Sequence, residues 1–132
     1  MLVVLSVFLD CDCVPRNQHN YITIVNNADD SVYALMPIQT YVEHQLKWYM
    51  KRDTVIPPKS SLFYSSCVWT IESEFGLDSN YLDEYYLVRE GVDYYEYANS
   101  KEEIVSINDS IISRYAFTLQ ELIDCNFTIV YP

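Results

Sequence analysis

Glycine is almost missing from this chain, with two in 132 residues. A phosphate-cradling loop needs more, so that class of site is all but excluded. Turns must instead rely on Asn, Asp, Ser and Pro. Positive charge is scarce too: 8 Lys and Arg stand against 19 Asp and Glu, for a net charge of −11. A nucleic-acid binder needs a basic patch to neutralise phosphates, and direct adsorption to anionic lipid needs one as well; both are disfavoured. Only two histidines occur, His19 and His44, and neither sits in a catalytic motif. There is no Gly-x-Ser-x-Gly, no P-loop and no His-Glu-x-x-His. Catalytic residues, metal ligands and cofactors are therefore not expected.

What is present is an apolar half, 50% of residues, rich in tyrosine with 13 copies. That composition suits one folded domain, and a chain of this length buries about two-thirds of its unfolded surface. The start is distinctive. Leu2 to Leu9 is apolar apart from Ser6, and Asp10-Cys11-Asp12-Cys13 follows. The run is too short to span a bilayer, which takes about 20 residues. A short apolar run ending at cysteine reads as an export signal with a lipid-anchored cysteine, here Cys11. It lacks a basic n-region, which places the true start upstream of Met1; the alternative is a native N-terminal strand. Residues 1–13 then form a leader, 14–20 a tether and 21–132 one domain. Cys67 and Cys125 are either a disulfide of an oxidising compartment or two buried thiols. Cys11-x-Cys13 without a nearby histidine is a weak metal signal.

Along the domain, Tyr21 to Val25 reads as a strand. Asn26 to Asp30 is a turn, and Ser31 to Met36 pairs back as a hairpin ending at Pro37. Residues 38–59 are ambiguous between a helical turn and an irregular excursion. Ser60 to Glu72 reads as one bent strand or two, and 73–80 as a loop or frayed helical turn. Glu84 to Arg89 is a strand with its turn at Glu90-Gly91-Val92. Ser100 with Glu103, and Thr118 with Glu121, are capping boxes that open short helices over 101–107 and 119–124. Ile111 to Tyr115 and Phe127 to Tyr131 complete the strands. The expectation is a mainly β chain, a small antiparallel β-sandwich or partly open barrel with one or two short helices near the C-terminus.

Four stretches carry a resemblance. These are Ile22-Thr23-Ile24-Val25-Asn26-Asn27 before an acidic turn, Ser100-Lys101-Glu102-Glu103-Ile104, Arg114-Tyr115-Ala116-Phe117-Thr118-Leu119-Gln120-Glu121-Leu122, and the ending Asn126-Phe127-Thr128-Ile129-Val130-Tyr131-Pro132. Together they resemble a group of small exported lipoproteins of gut Bacteroidales with no assigned activity. Lys101 stands where that group often has Trp, and Ala116 where it has Asp. The resemblance implies export, a lipid anchor and a small β-rich domain, and no catalytic residues.

Tyr81, Tyr85, Tyr86, Tyr94, Tyr95 and Tyr97 crowd an acidic segment. Aromatic faces beside carboxylates suit sugar rings, and tyrosine also anchors protein interfaces. Ordinary strand packing explains alternating tyrosines as well. These six are the candidate ligand-binding residues. The expected function is that of a non-enzymatic, exported lipoprotein domain of the cell envelope, on the outer-membrane or periplasmic face. Its role is binding or accessory, toward a glycan or another envelope protein. The alternatives are an assembly subunit pairing through a β-edge, or a small acidic inhibitor or immunity-type protein. Asn108-Asp109-Ser110 and Asn126-Phe127-Thr128 also fit the glycosylation sequon.

Overall fold

The computed structural model describes residues 18–65, 70–78 and 80–132. Cys11, Cys13 and Cys67, and with them the leader, lie outside the described residues. The strands are β1 (Ile22–Asn26), β2 (Val32–Val42), β3 (Gln45–Ile56), β4 (Ser60–Tyr64), β5 (Asp83–Arg89), β6 (Tyr97–Ala98), β7 (Ser113–Phe117) and β8 (Thr128–Tyr131). The helices are α1 (Ile71–Leu77), α2 (Lys101–Ile107) and α3 (Leu119–Asp124). A three-stranded sheet in the order β4-β1-β8 faces a five-stranded sheet in the order β6-β3-β2-β5-β7. The fold is mainly β, as the strand-dense sequence predicts, and the two sheets form a small sandwich rather than a closed barrel.

Alternation along the strands assigns the layers. Ile22 and Ile24 of β1, Tyr85 and Leu87 of β5, and Ile129 of β8 meet between the sheets, with Ile71 and Leu122 closing the ends. The intervening residues Tyr86 and Val88 of β5 point the other way. They pack with Leu35, Met50, Ile112 and the fully buried Ile104 of α2. β5 is thus covered on both faces, which is why Tyr85-Tyr86-Leu87-Val88 is an unbroken buried run.

Several expectations are corrected. β1 and β2 are not a hairpin; they lie in different sheets, because β1 pairs with β4 and, in parallel, with β8. The Asn26 side chain explains the parting. Fully buried at the end of β1, it donates to the carbonyls of Asp30, Ile56 and Pro57 and accepts from Ala28 N–H. It therefore ties the two sheets at this corner instead of folding a tight turn. Residues 38–59 are not an excursion. Residues 38–56 belong to the ribbon of β2 and β3, whose register shifts between Ala34 and Leu35, and 57–59 turn into β4. β2 runs straight through Pro37, which edge strands tolerate.

A third helix, α1, starts at Ile71, inside the stretch read as strand to Glu72, and takes the helical one of the two readings, loop or frayed helical turn, given for 73–80. Thr70 and Ser73 cap it reciprocally. The helices over 101–107 and 119–124 form as their caps predict. Glu103, however, reaches Asn99 N–H at 2.8 Å, one residue earlier than a capping box requires. β7 begins two residues later than predicted, because Ile111 and Ile112 bond back to Asn108 to close α2.

Candidate functional site

The five-stranded sheet has a split in it, and one residue accounts for where it opens. The ribbon turns through Glu43 and His44, both at positive φ (50° and 68°), in a two-residue loop. Such a loop makes Val42 and Gln45 a hydrogen-bonded pair. By alternation Thr40, Ile38 and Met36 bond toward β3, while Tyr41, Gln39 and Pro37 direct their backbone groups to the opposite side. On that side β2 pairs with β5 only from Val32 to Leu35, ending at Leu35–Tyr86. The next residue of β2 that could donate to β5 is Pro37, which has no N–H. The ladder stops there, and β2 parts from β5.

The opening is a cleft of about 400 Å³ lined by Leu35, Met36 and Pro37 on one side and Asp83 to Tyr86 on the other. Tyr64, Tyr81, Leu82 and Lys101 complete it. Because residues from both faces of the sheet line it, the cleft cuts through the edge of the layer. A second hollow of about 480 Å³ adjoins it, sharing Glu84 and Lys101 and adding Glu102, Ser106, Asp109 and Arg114.

The sequence Asp83-Glu84-Tyr85-Tyr86 sets the chemistry. Residues two apart share a face, so each carboxylate lies beside one phenol. Tyr85 donates to Asp83 at 2.5 Å, and Tyr81 donates to it at 3.4 Å. Tyr86 donates to Glu84, which also accepts from Arg114 at 2.9 Å. The two acids titrate in opposite directions. Burial pushes the Asp83 carboxyl up, with the charges of Glu74 and Glu84 adding to the rise and the two phenol bonds opposing it. Burial also raises Glu84, but the bonds from Tyr86 and Arg114 outweigh it and hold that carboxyl low. Tyr64 is raised well above an ordinary phenol by burial, by its bond to Asp53 and by the charge there. The cleft therefore presents carboxylates fixed by phenols on its floor, with the exposed ammonium of Lys101 at its rim.

The six candidate tyrosines do not share one face. Tyr81, Tyr85 and Tyr86 line the cleft. Tyr85 and Tyr86 are buried in opposite cores, and Tyr81 packs edge-on against Phe75. Tyr94 and Tyr95 line a separate hollow of about 300 Å³ with Asp93 and Ile111. Tyr94 also donates to Met50 O, and the Arg52 guanidinium lies over its ring and, closer, over that of Tyr33. Tyr97 lies on β6 against Tyr49. Sequence reasoning missed Tyr64, Leu35, Pro37, Lys101 and Arg114. The signal within reach was the two-residue spacing of acid and phenol in Asp83 to Tyr86.

His44 caps the ribbon. His19 stacks on Phe127 at 3.7 Å and binds both oxygens of Glu72, through its backbone N–H and through Nδ1. It is docked on the domain although it belongs to the predicted tether. Cys125 is a half-buried free thiol. Asn108 of the first sequon is fully buried and bonded to Tyr95 and Ile104, so it is no acceptor for a glycan. Among the described residues no three His, Cys, Asp or Glu gather as metal ligands, and no helix is long and apolar enough to cross a membrane.

Chemically the cleft can accept hydrogen bonds at Asp83 and Glu84, donate them from Lys101, and cover a small apolar patch with Leu35, Met36 and Leu82, while Arg114 lines only the adjoining hollow. Comparison of the chain with protein-family models, curated proteins and solved structures finds no match.

Proposed function

We propose that this is a non-catalytic binding domain of the cell envelope, held to the membrane by lipid on Cys11, whose split sheet takes a hydroxyl-rich ligand such as a glycan. The observation that carries the reading is the cleft between β2 and β5. Its size lies in the range of small-ligand sites, about 300–1,000 Å³. Its acceptors are already oriented by Tyr81, Tyr85 and Tyr86, and fixed groups cost little ordering on binding. Its acids are held by phenols and an arginine rather than set against a nucleophile, which favours holding a ligand over turning one over. Envelope placement and the anchor rest on the apolar run before Cys11 and on the resemblance to exported Bacteroidales lipoproteins.

A thermal-unfolding screen against a saccharide panel tests the binding half. A ligand at 100 times its dissociation constant stabilises the native state by about 2.7 kcal/mol. A raised midpoint is expected in the native chain and not in Lys101→Ala. A panel with no shift in either, or an equal shift in both, contradicts the site. Intact mass from the native membrane fraction tests the anchor. Cleavage before Cys11 with an acyl adduct is expected, and an unmodified chain retaining Met1 refutes it.

A further inference from the structure

We infer that two copies of this chain pair edge to edge through β2, with Thr40 on the twofold axis. Beyond Leu35 the side of β2 that faced β5 has no ladder partner among the described residues. Native edges of this kind are usually blunted by charge or proline. Here Pro37 guards only the first position. Ile38-Gln39-Thr40-Tyr41-Val42 is uncharged, β-prone and free of proline. Tyr41 at its outer end is 74% exposed.

The occupant follows from symmetry and charge. An antiparallel edge is complementary to itself about a twofold axis. With Thr40 on the axis, Gln39 pairs with the partner's Tyr41. Both residues direct their N–H and C=O groups outward, so each such pair exchanges two hydrogen bonds. Pro37 pairs with the partner's Glu43, where a carbonyl alone suffices on the proline side. Facing side chains are Ile38 with Val42, Thr40 with Thr40, and Gln39 with Tyr41, all neutral and of favourable cross-strand types.

A chain of net charge −11 resists meeting itself, yet residues 36–52 hold Lys47, Lys51 and Arg52 against the single acid Glu43. The acidic excess therefore lies outside the contact, although the twofold axis also sets these cations of one copy beside those of the other. The register places Glu43, on the partner's ribbon tip, at Pro37, where Lys101 lines the cleft. Glu84 on the same rim is already engaged by Tyr86 and Arg114. The second copy therefore supplies a wall the cleft lacks, although the pairing itself does not depend on which ligand the cleft holds.

Oxidative cross-linking and sedimentation of the full chain test this. Across a non-hydrogen-bonded antiparallel pair the Cα atoms lie about 4.5 Å apart, within disulfide reach. Thr40→Cys is expected to give a disulfide dimer. Phe63→Cys, exposed on the outer face of the other sheet, should show only the background of the native cysteines. In sedimentation the native chain should be a dimer. Thr40→Glu should raise its dissociation constant about tenfold or more, because like charges then face each other across the axis. Within its own copy that glutamate faces Lys47, and circular dichroism reports that the variant is folded. If Thr40→Glu unfolds, Gln39→Glu replaces it. A native chain that sediments as a monomer, a Thr40→Cys chain no more cross-linked than Phe63→Cys, or a dimer indifferent to either glutamate overturns the pairing. None of these readings involves a saccharide, so failure of the ligand assignment leaves them intact.

Discussion

Asn108 shows how much a single side chain can hold. Its amide accepts from Tyr95 N–H at 2.8 Å and donates to the carbonyls of Tyr95 and Ile104 at 2.9 Å each. It replaces a strand partner for the segment leading to β6. Asn108→Asp exchanges two donated bonds for two facing acceptors. Leaving buried polar groups unpaired costs about 1–3 kcal/mol each. The expected loss in urea unfolding is therefore at least about 2 kcal/mol; a change under half that would show the clamp to be dispensable. Asp83 and Glu84 make a sharper test, because their pH dependences oppose. With its folded pKa raised, Asp83 contributes stability that is complete below the ordinary Asp value and is lost as pH rises through the folded value. With its folded pKa lowered, Glu84 contributes stability present above the ordinary Glu value and lost as pH falls through the folded one. Asp83→Asn should thus gain on the native chain as pH rises above the usual carboxylate range. Glu84→Gln should trail the native chain at neutral pH and close the gap in acid. Unfolding curves of both variants across pH check this, and parallel profiles would contradict the assigned environments.

At the level of elements, the sequence was most readable where structure is local. Ser100 and Thr118 accept from Glu103 N–H and Glu121 N–H, and the helices over 101–107 and 119–124 follow. Thr118→Ala should cost about 1 kcal/mol, the usual worth of such a cap. Ile104 is the only buried residue of α2, so Ile104→Ala should cost about 2–5 kcal/mol and loosen α2 from the sheet. Amide exchange in 101–107 faster than in β5 would report that loosening, and unchanged protection would refute it. The ribbon was unreadable for equally local reasons. Its turn is Glu43-His44, which lacks the Asn-Gly or Asp-Gly signal, and Pro37 resembles a stop. The hairpin predicted for β1 and β2 failed because both strands had good patterns while the choice of partner was nonlocal. The cleft was illegible for the same reason. It exists because Pro37 falls at the position where β2 would next bond β5, and nothing in either strand alone states that register. Of the site, Tyr81, Tyr85 and Tyr86 were found from composition. Tyr64, Lys101 and Arg114 arrive from other elements and carry no shared signal.

On the scale of the whole molecule, the two sheets and α2 make three layers with two cores, and the five-stranded sheet belongs to both. That sharing makes the split matter. Where β2 leaves β5, both faces of the middle layer open at one place, beside the buried Asp83 and the half-buried Glu84. The strong negative charge then reads as two separate things. Most acids are a solvated surface, whereas Asp83 and Glu84 are fixed parts of a cleft with Lys101 at its rim and Arg114 holding Glu84 from the adjoining hollow. The proposed binding site is this cleft and not the exposed tyrosines Tyr95 and Tyr97. A glycan array probed with the native chain, Lys101→Ala and Tyr97→Ala, at equal concentration, tests it most directly. Saccharides captured by the native chain should be kept by Tyr97→Ala and lost by Lys101→Ala. Capture lost in Tyr97→Ala and kept in Lys101→Ala, or no capture by the native chain, would contradict it.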